Sequence, residues 1–238
     1  MMQLLDTMAR EPGPMSLKNL SQSTALHPST AHRILAVMVG SHLAERVEPG
    51  SYRLGIRLLE LGNLVKARIN VRHEALPYMR ELQRQIAETV NLSVRQDDEV
   101  VYVERTTSNQ TMMRVVQVDG ARAPLHITAV GKVFLAADNA EAVNAYVKRN
   151  GLKAYTANTL TSDTALIKEL AEIAKRGFAY DNEEAEKGVC CIGAGIYNDD
   201  GKLVAGLSVS APSDRLDRAW AAQVKATAEK ISRAMGYQ

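Results

Sequence analysis

The chain has 238 residues, 46% of them hydrophobic and 24% charged, with a formal net charge of +2; this composition excludes disorder and fits one large or two modest globular domains. No apolar run reaches the roughly 18 residues that cross a bilayer, the N-terminus lacks the order of a secretory signal, and aromatics at 5% leave few platforms for stacking nucleobases. The charge is unevenly placed: residues 1–95 hold 12 basic and 8 acidic side chains and residues 96–238 hold 17 and 19, which leans the front toward a polyanionic partner.

Leu4, Leu5 and Met8 share one face of a first helix, which Glu11-Pro12-Gly13-Pro14 stops. Ser16 can cap a second, short helix running to about Ser23, and Thr24 to His27 is a turn of the length that joins two helices steeply. Pro28 suits the first turn of a third helix. Along it Ala31, Ile34, Leu35 and Met38 form an apolar stripe, which leaves Ser29 and Arg33 on the opposite face, flanked by Thr30 and His32. Residues 43–47 and 51–54 read as two strands around Glu48-Pro49-Gly50.

Three helices and a hairpin make the winged helix-turn-helix plan, in which the third helix enters the major groove and the hairpin follows the phosphates. On that plan Ser29, Thr30, His32 and Arg33 of the helix and Ser51, Tyr52 and Arg53 of the wing are the candidate DNA contacts. Arg33 would meet a guanine edge or a phosphate. Ser29, Thr30 and Tyr52 would donate to phosphate oxygens, while Arg46, Arg53 and Arg57 add charge. The duller alternative is three short amphipathic helices that expose some Ser, Thr and Arg with nothing to bind.

Ile56, Leu59, Leu64 and Val65 give residues 55–68 a weak apolar stripe, a candidate linker helix that can also pair with a second chain. A further helix is predicted over Arg72 to Thr89, where Leu76, Met79, Leu82 and Ile86 recur every three or four residues. Strands follow at residues 92–95, 100–105 and 112–118, then helices at 129–137, 140–149 and 163–176, the last stopped by Gly177. Three more strands are predicted at 178–181, 189–197 and 202–211, and a final helix carries Leu216, Trp220, Val224, Ile231 and Met235. One sheet with helices grouped around it is an α+β sensory domain. Cys190 and Cys191 are adjacent and would point to opposite faces of a strand, which excludes a disulfide scaffold and fits a reducing cytoplasm. The rival reading makes one of them the thiol of a redox sensor or enzyme, but Asp181, Glu183, Glu184 and Glu186 nearby would raise a thiol pKa.

The chain resembles the IclR family of bacterial transcriptional regulators over essentially its full length. The resemblance is carried by Pro28-Ser29-Thr30-Ala31-His32-Arg33-Ile34-Leu35, Tyr52-Arg53-Leu54-Gly55 and Pro124-Leu125-His126 leading into Gly131-Lys132. It continues in residues 177–184, Gly188-Val189-Cys190-Cys191-Ile192 and Ser208-Val209-Ser210-Ala211-Pro212. It implies an α+β chain: a winged helix-turn-helix domain at 1–55, a linker helix at 56–71, and a GAF-like effector-binding domain with a central antiparallel sheet at 72–238. It also implies a double-stranded DNA operator, a small-molecule effector, and homodimers that pair into homotetramers. No catalytic residue, cofactor, metal or membrane partner is expected. The first helix starts almost at Met1, where relatives have several residues more, which predicts a frayed first turn or a start further upstream.

The positions that line effector pockets in the family are here Ala129, Val130, Asp181, Cys191, Ser208 and Ser210, with Met113 and Val115 as an apolar wall. Ala129 departs from relatives that carry glycine, and its Cβ narrows the approach to the backbone. Ser208 and Ser210 lie two apart on a strand and so share a face, and the helix start at Ala129 offers N–H groups to an anion, which suits an organic acid. Each residue also has a plain reading. Cys191 can be a small buried hydrophobe, Asp181 can cap the turn after it, His126 can satisfy a carbonyl, and the serines can bond within the sheet. A metal bridging His126, Asp181 and Cys191 is not required by their spacing.

Overall fold

The computed structural model describes residues 1–48, 50–66, 70–107 and 120–238. It divides into two compact units, Met1–Ile69 and Asn70–Gln238.

In the first unit α1 (Met2–Arg10), β1 (Met15–Ser16), α2 (Leu17–Ser23) and α3 (Pro28–Gly40) precede β2 (Ala44–Glu48), β3 (Ser51–Leu54) and α4 (Arg57–Lys66). Ser16 caps α2, its Oγ accepting the Asn19 N–H at 3.2 Å. The turn into α3 is tight because Ala25 takes φ 52 and the Ser21 hydroxyl donates to the Leu26 carbonyl at 2.6 Å. Leu4, Met8, Leu20, Leu35 and Met38 are buried together, so α1, α2 and α3 share one core. β1 joins the far side of β3, pairing Met15 with Tyr52, and the sheet has three strands in the order β1-β3-β2. This extra strand was not expected; two residues are too few to show an alternating pattern.

The second unit opens with α5 (Val71–Ile86), followed by β4 (Thr89–Gln96), β5 (Glu99–Thr106) and β6 (Arg122–Pro124). A single 3₁₀ turn (Leu125–Ile127) leads into α6 (Ala129–Ala137), α7 (Ala140–Asn150) and α8 (Asp163–Arg176). β7 (Phe178–Asn182), β8 (Val189–Tyr197), β9 (Leu203–Pro212) and α9 (Trp220–Ala234) complete it. The strands form one antiparallel sheet of order β6-β5-β4-β9-β8-β7. Alternation sends Val90, Leu92, Ile192, Leu207 and Val209 into a core that α5 and α9 cover. The other face carries Asn91, Ser208, Ser210, Cys191 and Gly206, and α6 packs over it.

Two expected boundaries move. α5 stops at Ile86 because Ala87 turns left-handed at φ 56 and donates its N–H to the Gln83 carbonyl at 2.8 Å, so Thr89 belongs to a strand and not to a helix. Leu216 lies ahead of α9, which starts at Trp220. The strand expected at 112–118, with Met113 and Val115, lies outside the described residues.

Candidate DNA-reading helix and effector pocket

α3 is capped at its start by His27, whose Nδ1 lies 2.8 Å from Ser29 Oγ and faces the Ser29 N–H at 3.4 Å. Ala31, Leu35 and Met38 are fully buried, with Ile34 half-buried, so the stripe seats the helix in its unit. That leaves Ser29, His32 and Arg33 exposed and Thr30 half-buried. Val37, one turn beyond Arg33 on the same face, is 66% exposed. In the sequence it is indistinguishable from core, because it is an apolar residue beside the stripe.

The wing is different. Ser51 is half-buried in β3, and Arg53 is exposed, with its guanidinium bonded to Glu45 at 2.8 Å. Tyr52 corrects the expectation: it is 4% exposed and packs into the core with Leu35 and Met38. Strand alternation explains why, since Ser51 and Arg53 point out and the residue between them must point in. Arg46 is exposed, and Arg57 holds Glu60 at 2.6 Å. Surface pairs of this kind are worth little and can exchange a carboxylate for a phosphate.

In the second unit Ala129, Val130, Asp181, Cys191, Ser208 and Ser210 line one cavity of about 50 Å³. They arrive from α6, β7, β8 and β9, and the register explains their meeting: Cys191 lies opposite both Asp181 and Ser210. Gly193 and Gly206 lie under the first turn of α6 and let it approach the sheet closely. A Cβ on Gly193 would stand 2.9 Å from the Val130 nitrogen, and one on Gly206 would stand 2.2 Å from Val130 Cγ1. Thr128 caps that turn by accepting the Gly131 N–H at 2.9 Å, while the N–H groups of Ala129 and Val130 have no acceptor among the described residues. Tyr102, Thr128, Glu186 and Val189 also line the cavity and were not foreseen. A bulge in β5, where Val103 is the extra residue, sets Tyr102 opposite Ser93 on the cavity face, a shift that strand alternation in the sequence does not reveal.

Ser210 Oγ accepts from Asn91 Nδ2 and meets Cys191 Sγ, each at 3.1 Å, so part of its bonding stays within the sheet. The hydroxyl of Ser208, a residue 5% exposed, has no hydrogen-bond partner among the described residues. Asp181 Oδ1 accepts the Glu184 N–H at 2.7 Å and so caps the turn as its plain reading predicted. Burial pushes the Asp181 carboxyl up to about 7, with the Glu184 charge adding and its N–H and Lys132 opposing. Behind it Lys132, 1% exposed, donates to both oxygens of Glu184 at 2.5 Å, a pair the sequence did not reveal.

Burial also raises both thiols, Cys191 well above its ordinary value, with the Asp181 charge a smaller cause. Of the four acids near in sequence, the charge of Asp181 raises both thiols and that of Glu183 raises Cys190, but burial acts more strongly. His126 turns away from this cavity: Nδ1 meets Tyr146 Oη at 2.8 Å and Nε2 meets the Lys153 carbonyl at 3.2 Å. Among the described residues no group of three or more His, Cys, Asp or Glu is placed to hold a metal ion.

Two family models match the chain, that of the IclR helix-turn-helix domain over residues 1–48 and that of the bacterial transcriptional regulator IclR C-terminal domain over residues 64–233. The HTH-type transcriptional regulator XynR of Escherichia coli (strain K12) is 31% identical over 99% of this chain and 95% of its own length. The Agrobacterium tumefaciens repressor BlcR superposes with a TM-score of 0.89 at 26% identity, covering 100% of this chain and 96% of its own. An IclR homologue from Microbacterium hydrocarbonoxydans, solved in complex with 4-hydroxybenzoate, has a TM-score of 0.65 at 25% identity over 98% of this chain and 96% of its own.

Proposed function

The chain belongs to the IclR family of bacterial transcriptional regulators, and from that premise we propose that α3 reads an operator while the cavity under α6 takes a small organic acid that controls operator binding. It is a transcriptional regulator with a DNA-binding helix-turn-helix and an effector-binding C-terminal domain. The observation that carries the finer reading is the cavity. Six side chains from four separate stretches converge there on two unacceptored N–H groups and the free Ser208 hydroxyl, all of which suit a carboxylate. The homologue solved with 4-hydroxybenzoate supports this ligand class.

In this account Arg33 contacts a base edge or a phosphate, Ser29, Thr30 and His32 help to position α3, and Val37 lies within reach of a thymine methyl. Ser51 and Arg53 of the wing follow the backbone. Ile56, Leu59, Leu61 and Leu64 are exposed at 40–59%, which supports pairing of two chains through the linker region at 56–71. Two chains then offer two copies of α3 to a near-palindrome, as homodimer or homotetramer. A coupling of about 1–3 kcal/mol, or roughly 5–150-fold in operator affinity, is enough for a switch. No helix of the described residues is long and apolar enough to cross a membrane, and we place the regulator in the cytoplasm. It needs no catalysis, since its raised thiols are poor nucleophiles.

The test is a thermal-shift screen of aromatic and short aliphatic carboxylates, repeated on Ser208→Ala and followed by operator gel shifts with each acid that binds. Stabilisation by a carboxylate that Ser208→Ala weakens, together with altered operator affinity, is the expected result. Stabilisation by none of them would refute the assignment.

A further inference from the structure

Asp181 is 2% exposed and lines the cavity, and among the described residues no cation forms an ion pair with it. The nearest ammonium, Lys132 on α6, is spent on Glu184, to which it donates twice. Among the described residues the other titratable groups that line the cavity or act on Asp181 are Tyr102 from β5, Glu184 and Glu186 from the loop after β7 and Cys191 from β8, none of them cationic. Just beyond, Cys190 is coupled to Asp181, Glu183 and Arg218. The same small cavity presents the N–H groups of Ala129 and Val130 and the Ser208 hydroxyl, donors that call for an anion. An anion drawn to those donors comes to rest beside a second carboxylate in a space of about 50 Å³.

Two ionised carboxylates cannot share so small a buried site; one of them must hold a proton. We propose that this pocket takes its carboxylate effector together with one proton from solvent, and that Asp181 is the group that holds it. This deepens the assignment of the cavity as the carboxylate site and rests on it. The protonated Asp181 then donates an O–H to the ligand while its other oxygen keeps the Glu184 N–H. The effector's own carboxyl ordinarily titrates well below neutrality and stays ionised. The regulator thereby reads acidity along with its ligand: a given concentration of effector is bound more fully as pH falls through 7, below which Asp181 is mostly protonated before the ligand arrives.

The experiment is isothermal titration of the full-length protein with 4-hydroxybenzoate and with acetate between pH 6 and 9, run at pH 8.5 in two buffers of different ionisation enthalpy. For wild type the Kd should be flat near pH 6 and rise toward tenfold per pH unit above about 7, with close to one proton taken up per ligand at pH 8.5. Asp181→Asn, whose amide stays neutral and can still accept the Glu184 N–H, should bind with a pH-independent Kd and no proton uptake. Glu141→Gln, exposed on α7 and outside the cavity lining, should keep the wild-type slope. Binding with no pH dependence in wild type, or a slope that survives in Asp181→Asn, would overturn proton-coupled capture and leave the carboxylate site standing. Failure of both acids to bind at any pH would overturn the carboxylate site and this inference with it.

Discussion

Val130 rests on Gly206, with its Cγ1 2.2 Å and its Cγ2 2.9 Å from where a Cβ on the glycine would lie. The first turn of α6 is therefore held against β9 by the absence of a side chain. That contact fixes the height of the N–H groups above Ser208. Gly206→Ala should destabilise the protein by about 1–3 kcal/mol through overpacking and weaken carboxylate binding at least tenfold. Urea unfolding and calorimetric titration check the two effects, and unchanged values in both would show that α6 does not depend on this seat.

Lys132 and Glu184 face each other in the interior, so removing one partner strands the other's charge. Lys132→Met should cost about 3–5 kcal/mol, whereas the double variant Lys132→Met, Glu184→Leu should recover much of that loss. Chemical denaturation of Lys132→Met, of Glu184→Leu and of the double variant measures it. Strict additivity of the two single losses would mean that the charges do not interact.

Asp181 also leaves a mark on stability in the absence of ligand. Its folded carboxyl is raised to about 7 from an ordinary value of 3.8, so the native state binds the extra proton between those values. Stability from this group is complete below about pH 4 and is lost as pH rises through 7. Relative to Asp181→Asn, wild type should lose a few kcal/mol between pH 4 and pH 8. Parallel stability curves for the two proteins over that range would contradict the shift.

The thiols offer an independent check on the dryness of the pocket. Burial raises Cys190 and Cys191, so both should react with iodoacetamide at pH 8 much more slowly than in the urea-unfolded chain. Bound carboxylate should slow Cys191 further. Labelling at the unfolded rate would place these sulfurs in water.

Much of this arrangement was legible in the sequence, for identifiable reasons. The stripe Ala31, Leu35 and Met38 repeats at helical spacing, and Ser208 and Ser210 share a face because a strand alternates, so both features are local. What escaped depends on partners distant in the chain. Lys132 looks like a surface cation until Glu184, 52 residues on, is brought to it. Tyr52 looks like a phosphate donor until the alternation of β3 is anchored on Ser51 and Arg53, both directed outward. The end of α5 at Ala87 was missed because alanine is a poor advertisement for a left-handed cap, which glycine usually signals. The family resemblance supplied the pocket residues, while register and packing account for their convergence.

The most direct test of the whole account is the affinity of the full-length protein for a duplex selected by wild type from random sequence, measured by fluorescence anisotropy for wild type and Arg33→Ala across a salt series. Arg33 lies on the exposed face of α3, so its removal should weaken binding to the selected duplex by about 1–3 kcal/mol, roughly 5–150-fold. The thermal unfolding of the variant should match that of wild type. Equal affinity of the two proteins for that duplex at every salt concentration would contradict the assignment of α3 as the reading element.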